Sequence, residues 1–299
     1  MTEKSMLFIH AQTGLHPGSG TALGTVDLPV QRERHTNWPI IPGSSLKGVL
    51  RDACRPAKGA DGSERENWLA VFGPETADAA AHAGALALTD ARILAFPVRS
   101  LRGVFAWTTC PAVLDRLNRD LALAVRESIK DVPRPDKEKA ACAVGRDLLV
   151  DDNKLVLEEF EFAHTDGAGA VASWIAENAI DEKDPATRER IKTHLAVLHD
   201  DDFTHFVRHA TEVVARVGLD YERKTVKSGA LFYQEFLPAE TIFYSLVLAE
   251  ESRRKDVKKS ASEVLGYVKS AAPKVLQIGG DETIGKGICA VRFMDGKGA

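Results

Sequence analysis

A chain of 299 residues is long enough to bury a full core without disulfide staples, as one large domain or two modest ones. Hydrophobic residues make up 44% and charged residues 27%, which excludes a disordered, collagen-like or coiled-coil chain. The net charge of −4 argues against a free-standing, non-specific nucleic-acid binder, although Arg32, Arg34, Lys47, Arg51, Arg55 and Lys58 face only Glu33 and Asp52 between Leu28 and Lys58.

Met6–Thr13 is rich in β-formers and predicts a buried first strand. A glycine-punctuated loop follows from Gly14 and runs to Pro42 without helical periodicity. A helix opens at Ser44, a natural N-cap, because Leu46, Val49, Leu50 and Ala53 recur on one face while Lys47, Arg51 and Arg55 fall on another. Ala85–Pro97 predicts a second strand and Pro111–Ile129 a second helix. Asp131–Lys139 is a charged break, and Leu148–Phe162 predicts a strand pair turning at 151–153. Thr187–His209 is helical in pattern, broken at Asp200–Asp202, with Asp202 as the cap of the helix after the break. Val213–Asp220 and Ala230–Phe236 predict strands about a hairpin signature at Lys224–Gly229. Thr241–Ala249 adds a strand and Ala261–Ser270 a helix, and Lys274–Phe293 reads strand, glycine loop, strand. The order describes an α+β sheet protein, one domain over 1–299 with its insertions concentrated at about 111–210.

No apolar run is long enough for a bilayer span and no signal core follows Met1, so a cytoplasmic protein without membrane contact is expected. Cys54, Cys110, Cys142 and Cys289 are scattered without any CxxC pair, as expected of reduced thiols. Gly18-Ser-Gly20 is not a dinucleotide loop, because Val26-Asp-Leu-Pro follows where a helix is needed. Gly280 to Lys286 fits GxxxxGK, yet Gly287 stands where the Mg²⁺-binding hydroxyl belongs, so an ATP site is not expected. That loop (Gly279, Gly280, Gly285, Lys286, Gly287) is either a permissive hairpin or a phosphate grip made of bare N–H groups and one ammonium. His199, His205 and His209 lack recognised metal-ligand spacing. Pro42 to Gly48 places Ser44, Ser45 and Lys47 at a helix start, a sensible seat for a phosphodiester, with Arg51 one turn along. Upstream, Gln31 to His35 supplies donors, Arg32 and Arg34 among them, and Trp38 is either a base-stacking platform or core. Asp27, two residues before Pro29, is by default a turn residue.

Taken together, His16-Pro-Gly-Ser-Gly20, Val26 to His35, Ile41 to Arg51, Gly229 to Pro238 and Ile278 to Gly287 resemble the RAMP superfamily of CRISPR effector proteins. The resemblance is strongest to the repeated backbone subunits of type III-B complexes. It implies a ferredoxin-like (RRM-type) core with helical and β-hairpin insertions that form palm, thumb and fingers. It also implies stacked copies of the chain along a CRISPR guide RNA, beside other subunits of the Cmr module. Complementary target RNA would be cut at regular intervals in a reaction dependent on Mg²⁺ or another divalent cation. The family's cleavage aspartate falls on Asp27, which would also be the metal ligand, and its loop histidine on His16. Guide contacts fall on Gly18, Ser19, Arg32, Arg34, Ser44, Ser45, Lys47 and Arg51, and on the glycine loop at Gly279, Gly280, Gly285, Lys286 and Gly287. An acid and a tyrosine that assist in relatives align near Gln234 and Phe236, which do not titrate usefully, and Glu235 is adjacent. The rival readings are a non-catalytic guide-RNA scaffold, a guide-processing ribonuclease using His16 and His35, and a small-molecule metal hydrolase using His199 to His209.

Overall fold

The computed structural model describes residues 2–294 apart from 60, 79 and 152. Its first half runs β1 (Glu3–Ala11), β2 (Ile40–Ile41), α1 (Gly43–Ala53), α2 (Gly62–Phe72), β3 (Leu86–Leu88), β4 (Ala91–Arg99), β5 (Phe105–Thr109), α3 (Pro111–Leu123) and β6 (Lys139–Cys142). The middle adds β7 (Leu149–Val150), β8 (Lys154–Leu157), β9 (Phe160–Asp166), α4 (Gly169–Ala179), α5 (Pro185–His194), β10 (Leu195–Leu198) and α6 (Asp200–His209). The last part is β11 (Glu212–Leu219), β12 (Val226–Phe236), β13 (Ile242–Ala249), α7 (Ala261–Ala271), β14 (Val275–Gln277) and β15 (Ile288–Phe293).

One mixed sheet follows the order β14-β15-β1-β13-β4-β5-β10-β6-β9-β8-β7, with β2 on β4 and β3 on β13. Third from the β14 edge, β1 pairs antiparallel with both β13 and β15, Ile9 lying opposite Phe243 on one side and Val291 on the other. Met6 through Ile9 are fully buried, so the strand reads as a continuous apolar run, as burial on both faces requires. The segment between α3 and α6 continues the same sheet through β10, which runs parallel to β5, and β6, which runs parallel to β9. Among the described residues only β11 and β12 stand apart, as a two-stranded hairpin with Val213, Val217, Leu231 and Tyr233 exposed.

Several predicted elements move. The N-cap of α1 is Pro42, not Ser44; Asp90 Oδ1 accepts the Gly43 N–H at 2.8 Å and leaves Ser44 exposed in the first turn. The helical stretch Thr187–His209 is two helices with β10 between them, because Leu195–Leu198 is a fully buried apolar run that completes the sheet. His199, not Asp202, caps α6, its Nδ1 accepting the Asp201 N–H at 3.2 Å. The β11–β12 turn sits at Asp220–Thr225, where Asp220 Oδ1 accepts the N–H groups of Glu222 and Arg223. The turn predicted at 151–153 includes residue 152, outside the described residues. All four cysteines are buried free thiols, and burial pushes Cys54 up to about 11 and Cys142 and Cys289 up to about 12. No helix among the described residues is long and apolar enough to cross a membrane.

Candidate functional site

The loop from Gly14 to Pro42 folds back on itself and is stitched to the end of β12. Gly18 bridges Val30, the Ser19 N–H donates to the Pro29 carbonyl, and the Gln31 N–H donates to the Pro17 carbonyl at 2.7 Å. Asp27 lies where this loop meets the hairpin. The N–H groups of Asp27 and Leu28 both donate to the Tyr233 carbonyl, and the Tyr233 N–H donates to Asp27 Oδ2 at 2.7 Å. The carboxylate is half-buried, and its Oδ1 has no hydrogen-bond partner among the described residues.

Four consecutive residues of β12 then reach four different places. Tyr233 holds Asp27. Gln234 donates to Asp281 Oδ2 at 2.5 Å and accepts from Arg216 at 3.1 Å, which ties both hairpin strands to the glycine loop. Glu235, 6% exposed, accepts the Val30 N–H at 2.9 Å and pairs with Arg32 at 2.6 Å. Its carboxylate is therefore spent on the loop and does not complete a cluster with Asp27. Phe236 packs on His16, ring centroids 5.5 Å apart, and lies beneath the Lys286 ammonium at 4.7 Å.

His16 is 7% exposed. Its Nδ1 is 2.6 Å from the Glu235 carbonyl, an atom that only accepts, so Nδ1 carries the proton and Nε2 is the acceptor in the neutral ring. A Cβ on Gly18 would stand 2.8 Å from that Nε2, so the loop backbone covers it closely. The His16 carbonyl accepts the Gly280 N–H, and a Cβ on Gly279 (φ +83°) would collide with the same carbonyl. Gly287 (φ +73°) has its N–H on the Gly14 carbonyl and its Cα against the Ile278 carbonyl, where a Cβ would collide as well. These two glycines are demanded by close backbone approach. The N–H groups of Gly280, Gly285, Lys286 and Gly287 all donate within the protein, so the loop offers no row of bare donors. Lys286 keeps its ammonium without an ion-pair partner among the described residues.

The other predicted contacts divide by what already occupies them. Ser44 and Ser45 are exposed in the first turn of α1, which carries no acid. Lys47 and Arg34 have no side-chain partner among the described residues; burial, then the nearby Arg51, lowers the Lys47 ammonium below its ordinary value. Arg51 donates to the carbonyls of Phe72 and Pro74 and lies 4.5 Å over the Trp68 ring. Arg32 is committed to Glu235 and to the carbonyls of Asn37 and Val207. Trp38 is 5% exposed, donates to Thr204 Oγ1 and packs edge-on against Phe203, so it is core and not a stacking platform. His35 lies on the surface beside Arg116, not beside His16. The His205 and His209 rings lie 4.7 Å apart, tilted at 43°, but among the described residues no three His, Cys, Asp or Glu side chains gather as a metal site. Asp281, which residue patterns did not single out, is the acid that fastens the hairpin; its only sequence signal was an acid inside the glycine loop.

The model of the RAMP superfamily matches residues 8–290 of the chain. A CRISPR system Cmr endoribonuclease, Cmr4, of Pyrococcus furiosus is 42% identical over 289 residues, 96% of this chain and 94% of that protein. The crystal structure of oligomeric Cmr4 from Pyrococcus furiosus superposes with a TM-score of 0.73 at 33% identity, covering 99% of each chain. A chain of a type III-B Cmr-beta complex bound to cognate target RNA matches in fold, with a TM-score of 0.73 at 23% identity over 97% of this chain and 96% of that one.

Proposed function

This chain belongs to the RAMP superfamily, and we propose that it is a repeated backbone subunit of a type III-B effector which holds guide RNA and cuts the paired target RNA at Asp27. The observation that carries the reading is the Asp27 carboxylate, fixed through Oδ2 by the Tyr233 N–H with Oδ1 left to act. The Cmr4 of Pyrococcus furiosus carries the name endoribonuclease, which supports the activity.

RNA supplies its own nucleophile, the ribose 2′-hydroxyl. Oδ1 of Asp27 accepts the proton of that hydroxyl as it attacks the adjacent phosphorus, general-base help worth about 10²–10⁴-fold. The Tyr233 N–H on Oδ2 holds the carboxylate in place, so its direction is set before substrate arrives. His16 holds the site together: its ring joins β12 to the loop, and its carbonyl seats the glycine loop. The P–O5′ bond breaks as the 2′-oxygen bonds to phosphorus, the departing 5′-oxygen takes a proton from water, and a 2′,3′-cyclic phosphate is left, a route closed to DNA, which lacks the 2′-hydroxyl. The alternative use of the same oxygen is to hold an ion instead of taking the proton; a single free carboxylate oxygen suits one that keeps most of its waters and is held largely by substrate phosphates, as Mg²⁺ is. Such an ion, when bound at Asp27, would neutralise the charge that develops on the phosphorus oxygens. Lys47, the exposed start of α1, Arg34 and Lys286 serve the guide backbone, while sequence is read by base pairing.

The test uses the assembled guide-RNA complex with labelled complementary RNA and Mg²⁺, wild type beside Asp27→Asn. Regularly spaced products with cyclic-phosphate ends from wild type, and a loss of about 10²–10⁴-fold in the variant with target binding unchanged, are expected. Equal cleavage by both would move catalysis off Asp27. Tight target binding without cleavage by either would make the chain a scaffold.

A further inference from the structure

Beyond the helix start, α1 ends in a second basic feature that the site above does not use. The chain leaves α1 at Cys54, turns through Pro56 to Gly59 and returns along α2, and the corner encloses a cavity of about 370 Å³. Arg55, Lys58 and Arg65 line it against one acid, Glu75, which Arg65 already pairs at 2.9 Å. Lys58 is exposed and has no partner among the described residues, and Arg55 has only the exposed Asp52 at 3.3 Å.

The floor is rigid. Trp68 is 1% exposed and donates its Nε1–H to the Arg51 carbonyl at 2.8 Å. Two guanidinium groups share its ring, Arg51 at 4.5 Å and Arg55 at 4.9 Å from the centroid. Like charges are thus held close by the indole, offset only in part by Asp52 beside Arg55 and Glu75 near Arg51. Burial and the neighbouring Arg55 lower the Arg51 guanidinium below its ordinary value, and burial and Arg51 do the same to Lys47. A row of cations that weaken one another gains when an anion settles among them.

We propose that this corner seats a backbone phosphate of single-stranded RNA, held by Arg55 and Lys58 and extending the α1 track past the C-terminal end of the helix. Lys47 and Arg51 lie one turn apart on α1, about 6 Å along its axis, and Arg55 follows just past the Cys54 C-cap, where it meets Arg51 over the Trp68 ring. A phosphate suits the site better than a base does, because the indole face is already covered by guanidinium groups and no other aromatic lines the cavity. The contact is therefore indifferent to sequence. It rests on the reading of α1 as a guide-RNA surface.

The experiment measures binding of a labelled single-stranded RNA to the full chain across a salt series. Wild type, Arg55→Ala/Lys58→Ala and Lys47→Ala are compared, each checked for an unchanged melting temperature. Loss of this one phosphate contact flattens the salt slope by about 0.7 and weakens binding several-fold at physiological salt. Restoring charge with Arg55→Lys in the Lys58 wild-type background should restore both. An effect of Lys47→Ala with none from the double variant overturns this proposal and leaves the α1 reading standing. No effect from either variant overturns both.

Discussion

Removing the Glu235 carboxylate tests whether β12 truly anchors the Asp27 loop. Glu235→Ala strips an acceptor from the Val30 N–H, on a residue only 2% exposed, and strips the charge partner from Arg32. A buried N–H left without an acceptor costs about 1–3 kcal/mol. Breaking a buried ion pair by deleting one partner costs about 3–5 kcal/mol. Arg32 keeps its bonds to the carbonyls of Asn37 and Val207, and its side chain is 18% exposed, so the sum falls at the low end, about 4 kcal/mol. For a chain of 299 residues that lowers the melting temperature by roughly 6 °C in thermal denaturation of the purified protein. Glu235→Gln, which keeps a carbonyl acceptor for Val30, should lose about half as much. A fall of under about 2 °C for Glu235→Ala would place the pair with exposed ion pairs of negligible worth and refute the anchoring argument.

The glycine loop makes a ranked prediction. Gly287→Ala and Gly279→Ala drive a Cβ into the carbonyls of Ile278 and His16, while Gly285→Ala at φ +75° meets open space. The first two should destabilise by several times the roughly 1 kcal/mol expected of the third, read as melting temperatures; three equal values would overturn the close-approach account. Acid tests the loop after Asp27. Burial raises the Glu33 carboxyl, but hydrogen bonds from Thr36 and Arg116 outweigh it and leave it below its ordinary 4.5. The folded pKa is depressed, so this contribution is complete above that value and is lost as the pH falls through the folded one. Urea denaturation of wild type and Glu33→Gln should therefore show a stability gap at neutral pH that closes in acid; a gap independent of pH would refute it.

How much was legible in the sequence depends on which residues repeat. The face of α1 is a local signal and holds at Leu46 and Leu50, which are buried, while Val49 is half-buried and Ala53 exposed; the helix predicted over Ala261–Ser270 holds as α7. Helix α4 was missed because its small apolar residues are buried on most sides and show no clean stripe. Helix α2 was missed because Trp68, Ala70, Val71 and Phe72 bury its last turn all round. β10 was absorbed into a helix because four buried residues have no period at all. At the site, Asp27 became visible only through resemblance. Its neighbours come from β12, about two hundred residues on in the chain, and no spacing rule links them. The partners of Glu235 and Asp281 are likewise products of topology, since Val30 and Gln234 reach them only across the folded loop.

The strand that fixes Asp27 is also the strand that projects from the body as half of the β11–β12 hairpin, without a break between the two roles. Under the function proposed above, one continuous piece of backbone carries both the hairpin and the anchor of the carboxylate, so the offset between them is set by protein geometry and not by the sequence of the RNA.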